Sequence, residues 1–507
     1  MAINVYRMIF FYTFVPENAT KRLLLIKKPS MTNQLCCARL RIVMILLLAC
    51  SFGVGNAQFV RTSYFMDGAQ YRLQLNPALA PTRGYIHLPG VSRADASLRS
   101  NALGAEDIYN LFKNADDADF FTTDKFFNKL KEYNKANAST GTDLFAVGKW
   151  HGNGFISVNI GLRVDGNMTV SRELFSFMRD MKGINSNDYA DYARHLQGEE
   201  LNFNAYSEVG VGYTRLIGDR LSVGGRVKGL LGLGNVKFKI NNASVKTNLQ
   251  GVGPDFNWSA ADPDELLDAT GTAQIDVDAD LVASCHGLEL KTNNDGYIDK
   301  IKYNTNKMGI AGFGAAFDLG VAMKVTDEFS LSAAITDLGF IKWTKGSTQK
   351  AHSNTSDLNY DSSNPGDIER FANVVGSSKA LNLDMVRLVP DNTDIKSRQS
   401  MLASTLALGA EYRLVNDKLS LGALFTNRFN KPYNDSELTF SVGVHPSSLL
   451  DFAVSYSPVM CGGNSFGLAM KLGPLFVGAD YMFMGKNTKC CNVLVGLSLP
   501  LDTRDDD

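Results

Sequence analysis

Charged side chains recur inside segments that otherwise alternate between apolar and small residues. A charge enclosed in a protein interior needs a partner of opposite sign, because removing it from water is costly. If these segments are strands of a closed wall, we expect the charges to face the lumen, to pair with one another or with a plug, and in part to line a polar path. The lumen-facing candidates are Arg163, Glu208, Arg226, Lys228, Asp318, Lys324, Glu411, Arg413 and Asp480.

The spacing of nucleophiles and ligands predicts no catalytic residue, no metal site and no cofactor. The six histidines are scattered, without an HExxH motif or paired Cys and His ligands. We expect no hydrolase nucleophile elbow, and therefore no enzyme. A barrel enzyme remains the third and weakest hypothesis, because a triad assembled from separate strands would not be visible in sequence spacing.

Three aspartates, Asp276, Asp278 and Asp280, alternate and would share one face of a strand. Carboxylate oxygens in such an arrangement can bind Ca²⁺. A solvated strand face is the interpretation we favour. Further along, Asp295-Gly296 predicts a type I′ hairpin turn.

An apolar run over residues 42–55 is too short to cross a membrane as a helix, which needs about 20 residues. It ends in Gly55-Asn56-Ala57, with small residues at the −3 and −1 positions. This pattern predicts a signal peptide over residues 31–57, cleaved after Ala57.

The start of the leader leaves alternatives open. Residues 1–30 are interpreted as an over-extended start ahead of Met31, with a very long leader as the alternative. A lipobox-like sequence ending in Cys50 is a second cleavage hypothesis.

The composition is that of a protein rich in β-strands. Glycine reaches 45 residues, and a mean hydropathy of −0.10 excludes a bundle of membrane-spanning helices. The net charge is −1 for the whole chain. Without the leader, 44 basic and 51 acidic residues remain, a net of −7 that disfavours a nucleic-acid partner.

From residue 142 onward, apolar and polar residues alternate with period 2 in one segment after another. In residues 155–165, aliphatic side chains face one way, whereas Ser157, Asn159 and Arg163 face the other. Most runs have the length of tilted membrane strands, about 9–11 residues, and exceed the 5–6 residues usual in soluble sheets. The pattern predicts an outer-membrane barrel with apolar residues toward lipid.

Short and long links alternate along these strands, as they do in outer-membrane barrels. One further strand at 84–98 brings the count to fourteen, with both ends in the periplasm. Segments 273–285 and 297–304 lie inside a long link and are interpreted as an extracellular hairpin; two more wall strands, making sixteen, are the alternative.

The predicted fold is all-β, a 14-stranded antiparallel transmembrane β-barrel with an N-terminal plug and small loop helices. The barrel spans residues 84–501, after a plug or periplasmic segment at 58–83 and before an acidic tail at 502–507. Loop helices are predicted over 107–113, 123–135 and 173–181.

Three cysteines, Cys461, Cys490 and Cys491, fall in two loops on the same side of this barrel. An oxidising compartment permits a disulfide between Cys461 and one of the other two. Free buried or lipid-facing thiols are the alternative.

Three segments carry a family resemblance. Leu75-Asn76-Pro77-Ala78 resembles the N-terminal region of barrels related to long-chain fatty-acid transporters. Residues 336–343 are similar to a signature of uncharacterised outer-membrane barrels in that superfamily, and residues 449–456 are similar in style. The resemblance covers about residues 60–507. It implies a 14-stranded barrel, a lumenal plug and inward movement of hydrophobic compounds, but no ligand-binding residue matches position by position.

Two functional hypotheses of different classes follow. The first is an outer-membrane transporter or channel for a small hydrophobic or amphipathic solute. The second is a structural barrel that docks partner proteins in secretion or surface assembly. Outer-membrane lipid and a hydrophobic small molecule are the expected partners; protein partners are not indicated. A continuous apolar pocket with a lateral gap would favour transport, and a lumen filled by its own charges would favour docking.

Overall fold

A computed structural model describes residues 60–87, 93–104, 106–107, 110, 123–183, 192–250, 270–364, 366–367, 386–391, 393, 395–430, 434–460, 463–480 and 489–503. The predicted leader, the predicted helix over 107–113 for the most part, and Cys461 lie outside the described residues.

The described chain is dominated by strands, as the alternation predicted. The strands are β1 (Arg83–Ile86), β2 (Arg93–Ser100), β3 (Tyr133–His151), β4 (Gly154–Ser171), β5 (Tyr192–Leu196), β6 (Glu199–Ile217), β7 (Leu221–Gln250), β8 (Thr270–Cys285), β9 (Leu288–Thr292), β10 (Ile298–Tyr303), β11 (Gly312–Lys324), β12 (Phe329–Trp343), β13 (Thr348–Ser353), β14 (Asn359–Asp361), β15 (Leu388–Pro390), β16 (Arg398–Met401), β17 (Ser404–Leu414), β18 (Leu419–Phe429), β19 (Asp435–Ser447), β20 (Leu450–Met460), β21 (Gly463–Leu472), β22 (Leu475–Ala479), β23 (Cys490–Leu497) and β24 (Leu499–Thr503).

Fourteen wall positions close into one antiparallel barrel. The first position is shared by β1 and β2, and the last by β23 and β24. β2 pairs with β23 and β1 with β24, and both β1 and β2 pair with β3 on their other side. The positions between are β3, β4, β6, β7, β11, β12, β16 with β17, β18, β19, β20, β21 and β22. The predicted count of fourteen is confirmed.

The alternative of sixteen strands is wrong, because the two doubtful segments pair beyond the wall. β7 is 30 residues long, and β11 pairs with its first part while β8 pairs with residues 234–250. β8 also pairs with β13 and β14, and β5 pairs with the far end of β7. We call this arrangement the extension sheet. The β9–β10 hairpin packs on it through Ile298 against Leu281 and Leu388.

Two local predictions need correction. The turn of the β9–β10 hairpin spans residues 293–297; Gly296 has a φ of +88°, whereas Asp295 is not among the positive-φ residues, so the turn is not type I′. The helix predicted over 123–135 is a single turn, α1 (Asp124–Phe127), and Thr123 makes no side-chain cap. Residues 128–132 form a turn and loop, and β3 begins at Tyr133, where strand pairing with β2 and β4 outweighs local helix preference.

The second described helix, α2 (Arg172–Gly183), agrees with the predicted helix over 173–181. It follows directly from β4 at the end of the barrel where the long links lie. None of the described helices is long and apolar enough to cross a membrane.

The outer face of the wall is an apolar belt. Residues at every second position expose large hydrophobic side chains, whereas the residues between them are small, polar or charged and buried. Such a belt on a closed barrel is stable in lipid and unstable in water. The chain is an outer-membrane β-barrel, as predicted. Members of the belt include Ile156, Val209, Val211, Tyr213, Val227, Phe313, Leu319, Leu408, Phe440, Val454, Leu468 and Val495.

Residues 60–82 run inside the barrel; we call them the inner segment. Two short 3₁₀ helices, Arg61–Ser63 and Gln70–Gln74, compact this stretch, and nearly all of its side chains are buried. The inner segment continues directly into β1, so one of its ends is anchored in the wall.

Candidate functional site

The Asn76-Pro77 pair of the inner segment lies against two glycines of the wall. Gly224 and Gly320 are directly opposite one another on β7 and β11. A Cβ atom at Gly320 would overlap the Asn76 side-chain oxygen, and one at Gly224 would overlap the Pro77 carbonyl. The hydroxyl of Thr214 donates to the Pro77 carbonyl at 2.6 Å. Asn76 and Pro77, which belong to the segment that carried the family resemblance, therefore occupy the space left by the missing side chains of Gly224 and Gly320.

Near the short turns, the inner segment is held by ion pairs. Asp67 pairs with Arg72 of the same segment and, at 2.5 Å, with Arg413 of β17. Arg413 also donates to Glu411 at 3.0 Å. Two of the predicted lumen-facing residues, Glu411 and Arg413, thus form one cluster that fastens the inner segment to the wall.

The start of the inner segment is fastened to other parts of the wall, at β19 and just after β22. The backbone N–H groups of Arg61 and Thr62 donate to the two carboxylate oxygens of Asp480 at 2.7 and 3.0 Å. The Arg61 guanidinium pairs with Glu437 of β19 at 2.6 Å. Asp480 therefore accepts hydrogen bonds from two backbone N–H groups and also lies 3.8 Å from the Arg61 guanidinium.

A cluster on β3, β4 and β6 centres on Arg163. Its guanidinium lies 2.6 Å from an oxygen of Asp143 and 2.7 Å from one of Glu208. Asp143 also pairs with Arg93 of β2 at 3.3 Å, and Arg93 contacts Asp95. The pairing extends round the wall, so that each buried charge has a neighbour of opposite sign.

A second cluster occupies β7, β11 and β12. Asp318 lies 2.9 Å from the ammonium of Lys228 and 3.3 Å from the guanidinium of Arg226, and Lys228 also reaches Asp337 at 2.6 Å. Asp337 has a φ of +58°, and its backbone N–H donates to Asp318 at 2.7 Å. The β11–β12 register shifts at this point, so the charges stabilise a bulge in the wall.

Eight of the nine predicted lumen-facing residues are therefore placed in these contacts. Lys324 differs, because it is the last residue of β11 and its side chain is exposed beside the short turn. Sequence reasoning missed several of the partners. Asp143 and the Arg93–Asp95 pair lay inside predicted strands, where their alternation could have found them; Asp67 and Asp337 lacked such a signal.

Two small cavities lie between described residues of the inner segment and the wall. One cavity, between Gln74, Arg163, Glu208 and Lys228, has a volume of about 20 Å³. Another, beside Tyr71, has about 10 Å³. Each holds about one water molecule. Both cavities are too small for an organic solute.

The remaining candidates lie elsewhere. Asp278 and Asp280 are exposed on the extension sheet and accept hydrogen bonds from Asn241 at 3.3 and 2.8 Å. Among the described residues, no group of three acidic, His or Cys side chains is arranged to hold a metal ion. Cys490 is buried and Cys491 half-buried. Since Cys461 lies outside the described residues, its disulfide stays a prediction.

Residues 77–480 match a family described as "Family of unknown function (DUF5723)", and the chain belongs to that family. No curated protein matches the chain.

Several solved structures show a distant likeness. One is a TodX monoaromatic hydrocarbon channel carrying the deltaS2S3 mutation: 10% identity over 85% of this chain and 94% of that one, TM-score 0.40. The P. putida toluene transporter TodX has 9% identity, covers 85% and 94%, and has a TM-score of 0.37. The Ralstonia pickettii toluene transporter TbuX has 10% identity, covers 89% and 100%, and has a TM-score of 0.31.

Proposed function

We propose that this member of the family transports a small hydrophobic or amphipathic solute across the outer membrane, and that the inner segment closes the path in the state described above. The observation that carries the proposal is the wall behind the inner segment. Inner-segment residues approach wall glycines on many strands, so at these positions the wall has no side chain. These glycines are Gly224, Gly320, Gly409, Gly422, Gly467, Gly478 and Gly496.

Barrel width supports a path of useful size. Eight-stranded barrels are filled by their own side chains, whereas barrels of 16–18 strands leave an aqueous channel. A fourteen-stranded barrel lined with glycine lies near the wider end of that range. Movement of residues 60–82 would leave a channel, whereas the present cavities admit only about one water molecule each.

Two features favour a hydrophobic solute. At the long-link end, Leu103, Phe126, Leu130 and Phe175 form an apolar cluster between α1, α2 and the wall. The inner segment itself presents Tyr64, Phe65 and Leu75 to the wall alanines. A solute that replaces the inner segment would therefore meet small apolar wall groups as well as paired charges.

A reversible lock tests the proposal. A Cβ atom at Gly478 would lie 3.0 and 3.2 Å from the two methyl groups of Val60, a spacing that suits a disulfide. We expect Val60→Cys with Gly478→Cys, in a background lacking the native cysteines, to abolish solute uptake when oxidised and to restore it on reduction. The disulfide would fix the inner segment at residue 60, and its other end is already fixed because residue 83 begins β1.

The measurement is uptake of radiolabelled oleate and of the apolar dye N-phenyl-1-naphthylamine by Gram-negative cells, with arabinose as the hydrophilic control. The single variant Gly478→Cys is the matched control and should be insensitive to oxidation. Uptake no greater than that of cells without the protein would overturn the proposal.

Docking of a partner protein is the second candidate. The observation in its favour is the extension sheet, which continues β7 beyond the wall and exposes a polar face that includes Thr272, Gln274 and Asp276. If solute uptake is absent, crosslinking from these positions in intact cells is the corresponding experiment. Specific crosslinks from this face, lost when β9 and β10 are deleted, would support docking.

A further inference from the structure

Three residues to which sequence spacing assigned no role meet inside the barrel at the short-turn end. The Ser420 hydroxyl lies 2.8 Å from Nε2 of His445, and Nδ1 of His445 lies 2.7 Å from a carboxylate oxygen of Asp451. Ser420 and Asp451 are each 1% exposed. Nucleophile, base and orienting carboxylate thus occur in the order that acyl-transfer enzymes require.

The hydrogen bonds have one consistent direction. An ionised Asp451 only accepts, so the proton on His445 must be at Nδ1. Nε2 then carries the lone pair and accepts the hydrogen bond that the Ser420 hydroxyl donates. In this tautomer His445 can take the proton of Ser420.

The strands place these residues together from separate short turns. Ser420 and Asp451 are the second residues of β18 and β20, and His445 is near the end of β19. Gly443 is the ladder partner of Ser420 and clears the space between the groups. A Cβ atom there would lie 2.5 Å from the Ser420 oxygen and 2.8 Å from Nε2 of His445. Contact between hydroxyl and imidazole therefore depends on a glycine at 443.

Two other buried wall serines have simpler partners. Ser455 bonds to Thr62 and Ser457 to Thr439, hydroxyl to hydroxyl. The segment at residues 463–467 does have the Gly-x-Ser-x-Gly spacing of a hydrolase elbow. It lies within strand β21 rather than in a strand-to-helix turn, so it is not an elbow. The imidazole and carboxylate distinguish Ser420.

The inner segment covers this cluster. The backbone N–H of Gly68 donates to the second carboxylate oxygen of Asp451 at 3.1 Å. The neighbouring Asp67 is held by Arg413, the ladder partner of Ser420. Movement of residues 67–68 would open the Ser420 hydroxyl to the lumen and would free Arg413 from Asp67, leaving its guanidinium paired with Glu411 alone.

We propose that Ser420, His445 and Asp451 form a serine-nucleophile site that hydrolyses small carboxylic esters when residues 67–68 withdraw. The Ser420 oxygen attacks the ester carbonyl carbon while its proton passes to Nε2 of His445. The carbon–oxygen bond to the alcohol then breaks, and the alcohol takes that proton.

Water completes the cycle. It attacks the acyl-serine, gives a proton to Nε2, and the acid departs as that proton returns to the Ser420 oxygen. Arg413 is placed to stabilise the oxyanion of each intermediate. Asp451 is a positioning residue that holds the imidazole. The inference does not depend on transport, because it requires only that an ester reach the short-turn end.

The test is covalent labelling of the full chain in detergent with a fluorophosphonate linked to rhodamine, which phosphonylates an activated serine and releases fluoride. We expect Asp67→Asn, which removes the ion pairs of Asp67, to increase labelling over wild type. In that background Ser420→Ala should abolish labelling, and His445→Gln should reduce it by about a hundredfold or more. Hydrolysis of p-nitrophenyl acetate should follow the same order.

Ser441→Ala is the matched control, since Ser441 is a buried wall serine on the neighbouring strand β19; labelling should be unchanged. The smaller diisopropyl fluorophosphate, applied to wild type and identified on Ser420 by peptide mass, tests the site should Asp67→Asn fail to fold. Folded barrels without a Ser420 adduct from either reagent would overturn the proposal and leave the cluster as an anchor for Gly68.

Discussion

At the scale of the residue, the stability of the barrel interior depends on charged side chains that each contact two partners of opposite sign. Arg163 contacts both Asp143 and Glu208, and Lys228 contacts both Asp318 and Asp337. Removing the bridging cation leaves two carboxylates that share a dry site. The cost of an unpaired buried charge exceeds the net gain from the intact pair, so these positions are sensitive to substitution.

Arg163→Gln should therefore lower the free energy of unfolding by about 3–5 kcal/mol. Glutamine can still donate one hydrogen bond but cannot neutralise Asp143 and Glu208. The measurement is urea-induced unfolding in lipid vesicles, followed by the mobility of unheated samples on gels.

The matched variant is Lys324→Gln, which removes the same charge from the exposed end of β11. It should change stability by less than about 0.5 kcal/mol. Equal effects of the two substitutions would contradict the role of Arg163 as a bridge.

At the scale of the element, the fit between the inner segment and the wall depends on the absence of side chains. Gly224 and Gly320 face one another across β7 and β11, and together they admit Asn76 and Pro77. A methyl group at either position would displace the inner segment and leave the ladder of the wall intact.

Gly320→Ala should therefore loosen residues 60–82 by about 1–3 kcal/mol. The expected result is roughly 5- to 150-fold faster amide hydrogen exchange in the inner segment, with wall strands unchanged. Exchange is measured by mass spectrometry on the folded barrel.

Gly229→Ala is the control for this experiment. It lies on β7, and the nearest atom to its added Cβ would be the Val209 carbonyl oxygen at 4.0 Å. Should Gly320→Ala exchange no faster than Gly229→Ala, the close approach of Asn76 would not limit the position of the inner segment.

At the scale of the whole molecule, the exposed apolar belt requires a lipid environment. Val211 is 54% exposed at the middle of β6, and its neighbours on the outer face are also apolar. An arginine there would have to leave the hydrocarbon or draw water into it.

Val211→Arg should therefore destabilise the barrel in lipid vesicles by about 2–4 kcal/mol. The matched variant is Thr272→Arg on the exposed face of the extension sheet, beyond the wall, where the change should be near zero. Unfolding in urea measures both. If the two variants were equally stable, the belt would not face lipid.

Local alternation and link length were sufficient to predict the barrel. A period of 2 over long runs determines which side chains share a face, and the order of short and long links determines the count of wall positions. The same alternation selected the charged candidates, because side-chain direction on a strand is a local property, and the structure places eight of them in the ion pairs and hydrogen bonds described above. Lys324 is exposed instead, because it is the last residue of β11 and lies beside the turn that follows.

Only the tertiary structure decided which residues meet. The pairing of Asp67 with Arg413 spans 346 positions, and Ser420, His445 and Asp451 converge from three strands. No local pattern encodes such contacts, because they depend on register between strands and on the course of the inner segment. The sequence by itself determined the wall and its two faces; closure of the wall and the path of residues 60–82 decided what the lumen contains.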